Sequence, residues 1–258
     1  MGNWRIKQFK AVSLKNGVLI EGLPGIGNVG KVAVDFLIDE LEAIKLYEIS
    51  SFTFPHSVFI NEDNLVELPK IEIFYKKAKG QDFLLLSGDV QPIDEVSSYE
   101  FSEKIIDICK KHGCRDIITL GGIGLSEIPK KPKVYCTGNT SDAVKKYKDP
   151  MINTKLYGVV GPIVGVSGLL LGLSEPRIRA VALLAETYGH PMYLGINGAK
   201  EILKYLGKRF GFAINTEKLD KEVKAMEKET MKRTEELSKI SKKSAGKRLL
   251  GQDVNYIG

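Results

Sequence analysis

The residues best placed to do chemistry are Gly25-Ile26-Gly27-Asn28-Val29-Gly30, a complete GxGxxG between an apolar run and a helix-forming segment. Glycines at this spacing let a backbone approach a pyrophosphate. The following helix N-terminus attracts its charge, and an acid on the next strand holds a ribose. Glu48, 18 residues past Gly30, stands where that acid belongs. The continuation does not fit, because a dinucleotide fold needs a crossover of a dozen or more residues after the second strand. Residues 50–89 offer only strands and turns, and Pro24 directly precedes the first glycine. The preferred reading is a tight strand-to-helix turn with close packing. The alternative is a small-ligand binder or a phosphorylase-like or hydrolase-like enzyme. It would use Gly25, Gly27, Asn28 and Gly30 with Asp89 and Glu186, acids at carboxyl ends of expected strands where α/β folds place ligands.

Other constellations are thin, and no catalytic residue is assigned. Glu186 in Ala185-Glu186-Thr187 serves equally well as a capping or subunit-contact carboxylate, and His190 follows it closely. Gly165-Val166-Ser167-Gly168-Leu169 is not a nucleophile elbow, since Leu169 replaces the last glycine. Cys109, His112 and Cys114 match no zinc spacing, so a structural role is expected and neither metal nor cofactor is assigned. His56, after Pro55, reads as a satisfied loop or core histidine.

The elements that must position these residues form an α/β pattern. Strands are expected at Gly17–Glu21, Ala43–Ser50, Asp116–Leu120, Lys133–Cys136 and Ile178–Ala185. Helices are expected at Val29–Leu41, Asp94–His112 and Asn197–Phe210. A β-rich insertion follows Phe52, with strands at Val58–Ile60, Leu65–Leu68, Ile71–Tyr75 and Phe83–Leu86. Gly121–Gly124 reads as a turn. Leu156–Ser174 is uncharged over nearly a membrane-spanning length and holds Gly161/Gly165 and Gly168/Gly172 pairs. Its setting in an α/β pattern and Pro162, which suits a strand-to-helix turn, favour a buried helix. Glu217–Arg248, rich in alternating charge, reads as one long helix whose weak heptad seam suits packing on the body or on a neighbouring subunit.

Composition narrows the classes. The chain has 258 residues, 43% hydrophobic and 27% charged, which fits a globular protein and excludes a disordered or collagen-like one. Three cysteines fit a reducing cytosol, and MGNWRIKQFK has no apolar h-region, so a cytoplasmic protein is expected. The net charge of +6 is uneven: Leu237–Gly258 carry five bases and one acid, leaving +2 for the preceding 236 residues. The basic segment lacks interleaved aromatics, which argues against nucleic acid.

Leu23-Pro24-Gly25-Ile26-Gly27-Asn28-Val29-Gly30, Leu120-Gly121-Gly122, Gly161-Pro162-Ile163-Val164-Gly165-Val166-Ser167-Gly168-Leu169-Leu170 and Ala185-Glu186-Thr187 occur in this order over residues 10–215. Together they resemble the proteasome assembly chaperone family. That resemblance implies a mixed sheet flanked by helices, similar to nucleoside phosphorylases, without an established catalytic site. It also implies ATP-independent archaeal homo-oligomers, of four or five subunits, that assist assembly of the proteasome core. The partners would be proteasome α subunits or their ring, or a related assembly chaperone, with no nucleic acid and no membrane. On this reading residues 1–215 are the α/β chaperone body, 216–248 the charged helix and 249–258 a docking tail. The tail residues are Val254, Tyr256 and Ile257, with Lys242, Lys243, Lys247 and Arg248 steering; Tyr256 is third from the end rather than penultimate, as the terminal motif of proteasome activators has it.

Overall fold

Gly17–Glu21 (β2), Gln81–Gly88 (β7), Cys114–Leu125 (β8) and Arg179–Tyr188 (β11) are almost continuously apolar and buried. Strands of that kind belong in the middle of a sheet covered on both faces. The computed structural model, which describes residues 4–61, 63–159, 161–174, 178–215 and 221, places them there. They pair in parallel in the order β7-β2-β8-β11.

Antiparallel strands extend this centre on both sides. Ile71–Ala78 (β6) pairs with β7, Ile44–Ser51 (β3) with β6, and Trp4–Gln8 (β1) with β3 as one edge. On the other side Val134–Gly138 (β9) pairs antiparallel with β11, and Ile152–Asn153 (β10) lies parallel to β9. Phe59–Ile60 (β4) and Val66–Glu67 (β5) form a separate small hairpin between β3 and β6.

Val29–Glu40 (α1) and Ile196–Phe210 (α5) pack against each other on one face of the sheet. Ser141–Tyr147 (α3) joins them, with the Tyr205 hydroxyl donating to the Tyr147 carbonyl at 2.7 Å. Glu95–Lys111 (α2) and Val166–Leu173 (α4) pack together on the opposite face. There Phe101, Ile105, Val166 and Leu170 close over Leu19, Leu84, Leu86 and Ile117. Helix α2 has well-defined ends. Asp94 caps its N-terminus by accepting from the Ser97 N–H at 2.9 Å, and Lys110 and Lys111 sit in its last turn, where cations oppose the helix dipole.

The expected α/β class, mixed sheet and β-rich insertion are present. Three local expectations change. Gly121–Gly124 continues β8 instead of turning, because each of its residues pairs along β11 from Leu184 to Thr187. The buried helix expected over 156–174 starts only at Val166, since Gly158 and Gly165 have positive φ and Pro162 lies between them in a loop. Strand β1 and helix α3 were not expected; α3 is capped by Thr140, which accepts from the Ala143 N–H at 3.1 Å. The helix expected at 217–248 lies outside the described residues apart from Lys221, as do all the tail and steering residues.

Candidate protein-docking face

The carboxyl ends of β7, β2, β8 and β11 meet at one end of the sheet. The GxGxxG turn follows β2 there, as a single 3-10 turn at Ile26–Asn28 leading into α1. Of its glycines, Gly27 and Gly30 serve packing, whereas Gly25 has open space around it. A Cβ on Gly30 would collide with the Leu120 carbonyl oxygen of β8, and one on Gly122 with the Ile26 carbonyl oxygen. The acid of the dinucleotide fingerprint is displaced: β3, which carries Glu48, is separated from β2 by β6 and β7. Three strand steps amount to about 14 Å, and Glu48 engages Lys45 at 3.5 Å.

Beside the turn lies a cavity of about 410 Å³, lined in part by Leu23, Gly25, Gly30, Ile163 and Ser167. Gln91 stitches two of its walls, donating to the Pro24 carbonyl and accepting from the Val166 N–H at 3.2 Å, which ties the turn to the start of α4. Beneath it Glu21 is fully buried and accepts from the Leu23 N–H at 3.0 Å and from the Ser167 hydroxyl at 3.0 Å. Burial, only partly offset by these two hydrogen bonds, pushes the Glu21 carboxyl up to about 7. The sequence reading passed over Glu21 and Gln91, although an acid ending the apolar run Gly-Val-Leu-Ile-Glu was a visible signal.

The structure brings Gly25 and Gly30 to this cavity, but Gly27, Asn28, Asp89 and Glu186 do not line it. Asp89 is exposed and accepts from the Lys70 N–H at 3.2 Å, holding the start of β6. Glu186 accepts from the Lys133 N–H and the Tyr135 hydroxyl, both at 3.0 Å, and so fastens β9 to β11. His190 stacks on Tyr188 and accepts from the Met192 N–H. Both His112 ring nitrogens are engaged, by the Tyr47 hydroxyl at 2.7 Å and the Val12 carbonyl at 3.1 Å. Cys109 and Cys114 are buried free thiols. His56 is exposed and lines a groove beside β1.

What this end presents outward is apolar. Ile26, Val159 and Val164 rim the cavity and are exposed. Ile93 and Val96, after β7, and Met192, after β11, are exposed on the same end of the sheet. Exposed apolar side chains at the end of a sheet make it a candidate site of association. Among the described residues, no helix is long and apolar enough to cross a membrane.

The PAC2 family model matches residues 19–233. The chain belongs to the PAC2 family. An uncharacterized protein of Methanocaldococcus jannaschii, MJ1210, is 33% identical over 248 residues, covering 95% of this chain and 93% of the relative. The crystal structure of Pyrococcus furiosus PbaB, an archaeal proteasome activator, is 32% identical with a TM-score of 0.81, covering 91% of this chain and all of that one (100%). P. furiosus PbaA, an archaeal homolog of proteasome-assembly chaperone, has the same fold, with a TM-score of 0.74 at 22% identity over 97% of this chain and 100% of that one. The chain is thus similar to an archaeal proteasome activator and shares its fold with an archaeal homolog of proteasome-assembly chaperone.

Proposed function

We propose that this PAC2 protein is a cytoplasmic, ATP-independent proteasome assembly chaperone or scaffold. It works as a homo-oligomer and binds proteasome α-type subunits or a related assembly chaperone, with residues 1–215 as its body. The carrying observation is the carboxyl end of the sheet. Its glycine turn is closed by packing beneath a rim of exposed apolar side chains, which suits a protein partner better than a dinucleotide. PAC2 membership and the 32% identity to an archaeal proteasome activator support the choice of partner.

The C-terminal residues supply a second contact. Val254, Tyr256 and Ile257 form a short apolar docking peptide, and Lys242, Lys243, Lys247 and Arg248 steer it toward an acidic surface. Several tails on one oligomer raise the effective concentration of each, so weak single contacts suffice. A pull-down with α subunits tests this. The full chain retains them, and a chain lacking Gly251–Gly258 retains clearly less; equal retention removes the tail from the mechanism.

A second reading follows from the same relative: the protein stimulates an assembled proteasome instead of building one. Peptide hydrolysis by assembled 20S particles, with and without this protein, separates the two. Faster hydrolysis identifies an activator, whereas an increased yield of assembled rings identifies a chaperone.

A further inference from the structure

The sheet ends in an open strand whose charge is all of one sign. Strand β1 pairs with β3 on one side, and among the described residues no strand covers its other side. The Phe9 N–H donates to the Leu46 carbonyl of β3 at 2.9 Å. Antiparallel pairing alternates, so Arg5 and Lys7 also turn their backbone groups toward β3. Ile6 and Gln8 turn theirs outward, part of a row of donors and acceptors with no strand beside it. Side chains alternate as well. Trp4 and Gln8 face α2, where the Trp4 ring centre lies 5.3 Å from that of Phe101 and Gln8 accepts from Lys111 at 3.1 Å. Ile6 shares that face and is exposed. Arg5 and Lys7 face the other way, Arg5 4.9 Å from the Phe52 ring centre and Lys7 4.7 Å from that of Phe9. Residues 4–15 carry four cations and no acid. Arg5, Lys7 and Lys10 are exposed and form no ion pair among the described residues. Glu48, opposite Lys7 on β3, is engaged by Lys45.

We propose that β1 is a docking edge for an acidic, extended segment of a partner protein, which joins the sheet as a further strand. The outward row of N–H and C=O groups supplies the affinity of such strand addition, and side chains at alternate positions supply its selectivity. Here charge does the selecting. A carboxylate on the added strand, opposite Arg5 or Lys7, meets a cation that has no carboxylate of its own, and opposite charges across a pair of strands attract. An apolar side chain at the intervening position packs on Ile6. The same cations turn away a second copy, because two β1 edges side by side bring like charges together, which is how lysine guards an edge. A nucleic acid answers the charge but cannot pair with an alternating row of donors and acceptors. The contact is separate from the face at the carboxyl ends of the central strands, since four strand steps lie between β1 and β2.

Fluorescence anisotropy of the full chain with a labelled peptide of alternating glutamate and valine tests the edge. A matched lysine–valine peptide and a single-stranded oligothymidylate are the comparison probes. The glutamate peptide should bind saturably at low salt and more weakly as salt rises. The other two probes should bind about tenfold more weakly or worse. The variant Arg5→Glu/Lys7→Glu should reverse the preference, losing the glutamate peptide by about tenfold and gaining the lysine peptide. That gain is a readout a misfolded variant cannot give. Amide hydrogen exchange, read residue by residue, should show Ile6 and Gln8 becoming protected on binding, while Arg5 and Lys7, already paired with β3, change little. No saturable binding of the glutamate peptide, or equal binding of the two peptides, overturns the proposal. Oligothymidylate bound as tightly as the glutamate peptide also overturns it and makes the edge a nucleic-acid site. Binding that leaves Ile6 and Gln8 exchanging as before puts the contact elsewhere and overturns the proposal as well. If those two amides become protected in the chain alone as its concentration rises, a second copy fills the edge and the acidic partner is refuted.

Discussion

Replacing Gly30 with alanine tests whether the GxGxxG turn is a packing device. The added methyl would meet the Leu120 carbonyl oxygen head-on and lie 3.3 Å from the Gly22 Cα. Both obstacles are backbone, one in β8 and the other directly after β2, so no rotamer change relieves them. Overpacking of this kind costs up to about 3 kcal/mol. Alanine recovers about 1 kcal/mol of helix propensity in the first turn of α1, leaving a net loss of about 2 kcal/mol. For a domain of this size that lowers Tm by roughly 4–8 °C. Gly25→Ala is the matched control. Its φ of −161° is extended backbone open to any residue, and the nearest heavy atom to the new methyl, the Leu23 carbonyl oxygen, is 4.0 Å away. It should stay within about 0.5 kcal/mol of wild type. Thermal unfolding followed by circular dichroism reads both. If Gly30→Ala melts with the wild type, or Gly25→Ala loses as much, the packing account is refuted. A dinucleotide site gives another pattern, in which added dinucleotide raises the wild-type Tm and either substitution abolishes that rise.

Three further outcomes follow. The raised pKa of Glu21 means that between its ordinary value of 4.5 and about 7 the folded chain holds a proton that the unfolded chain releases. Stability should therefore fall across that window by on the order of 3 kcal/mol as pH rises, and urea titrations of Glu21→Gln should lack that slope. Asp116 is buried and accepts from Arg179 at 2.8 and 3.0 Å and from Lys146 at 2.7 Å. Burial alone would raise its pKa, but these partners outweigh burial and hold it low; its contribution is present above the unfolded carboxylate range and is lost as pH falls through the lowered folded value. Asp116→Asn should cost about 2–3 kcal/mol in urea at neutral pH, discounted because both cations are partly exposed, and no change would remove the ion cluster from the account. In the cavity beside Gly25, a thermal-shift screen of nucleosides, phosphate and dinucleotides should give no saturable rise, and one clear saturable hit would favour a small-ligand binder.

Much of the scaffold was legible because burial on both faces forces continuous apolar runs, and β2, β7 and β11 have them. Elements whose formation depends on partners were not. Strand β1 reads Trp-Arg-Ile-Lys-Gln and is largely exposed; it exists because β3 offers it an edge. Glycine ordinarily punctuates structure, so Gly121, Gly122 and Gly124 read as a turn. Pairing with β11 overrides that preference, and the Ile26 carbonyl packed on Gly122 shows why a side chain is absent there. At the candidate site the glycine turn was recognised along with its packing role. Asp89 and Glu186 look alike in sequence as acids near strand ends. Only the fold shows that each is occupied in fastening one strand to another, and that the acid drawn inside is Glu21.

The central claim is an association with proteasome α subunits, and its most direct test is size-exclusion chromatography with light scattering. The full chain should be run alone, with purified archaeal α subunits, and with those subunits after removal of Gly251–Gly258. The account predicts an oligomer alone and a heavier co-eluting complex of defined stoichiometry with α subunits, which weakens when the tail is absent. Separate elution of the full chain and the α subunits, at concentrations where both are oligomeric, would contradict it.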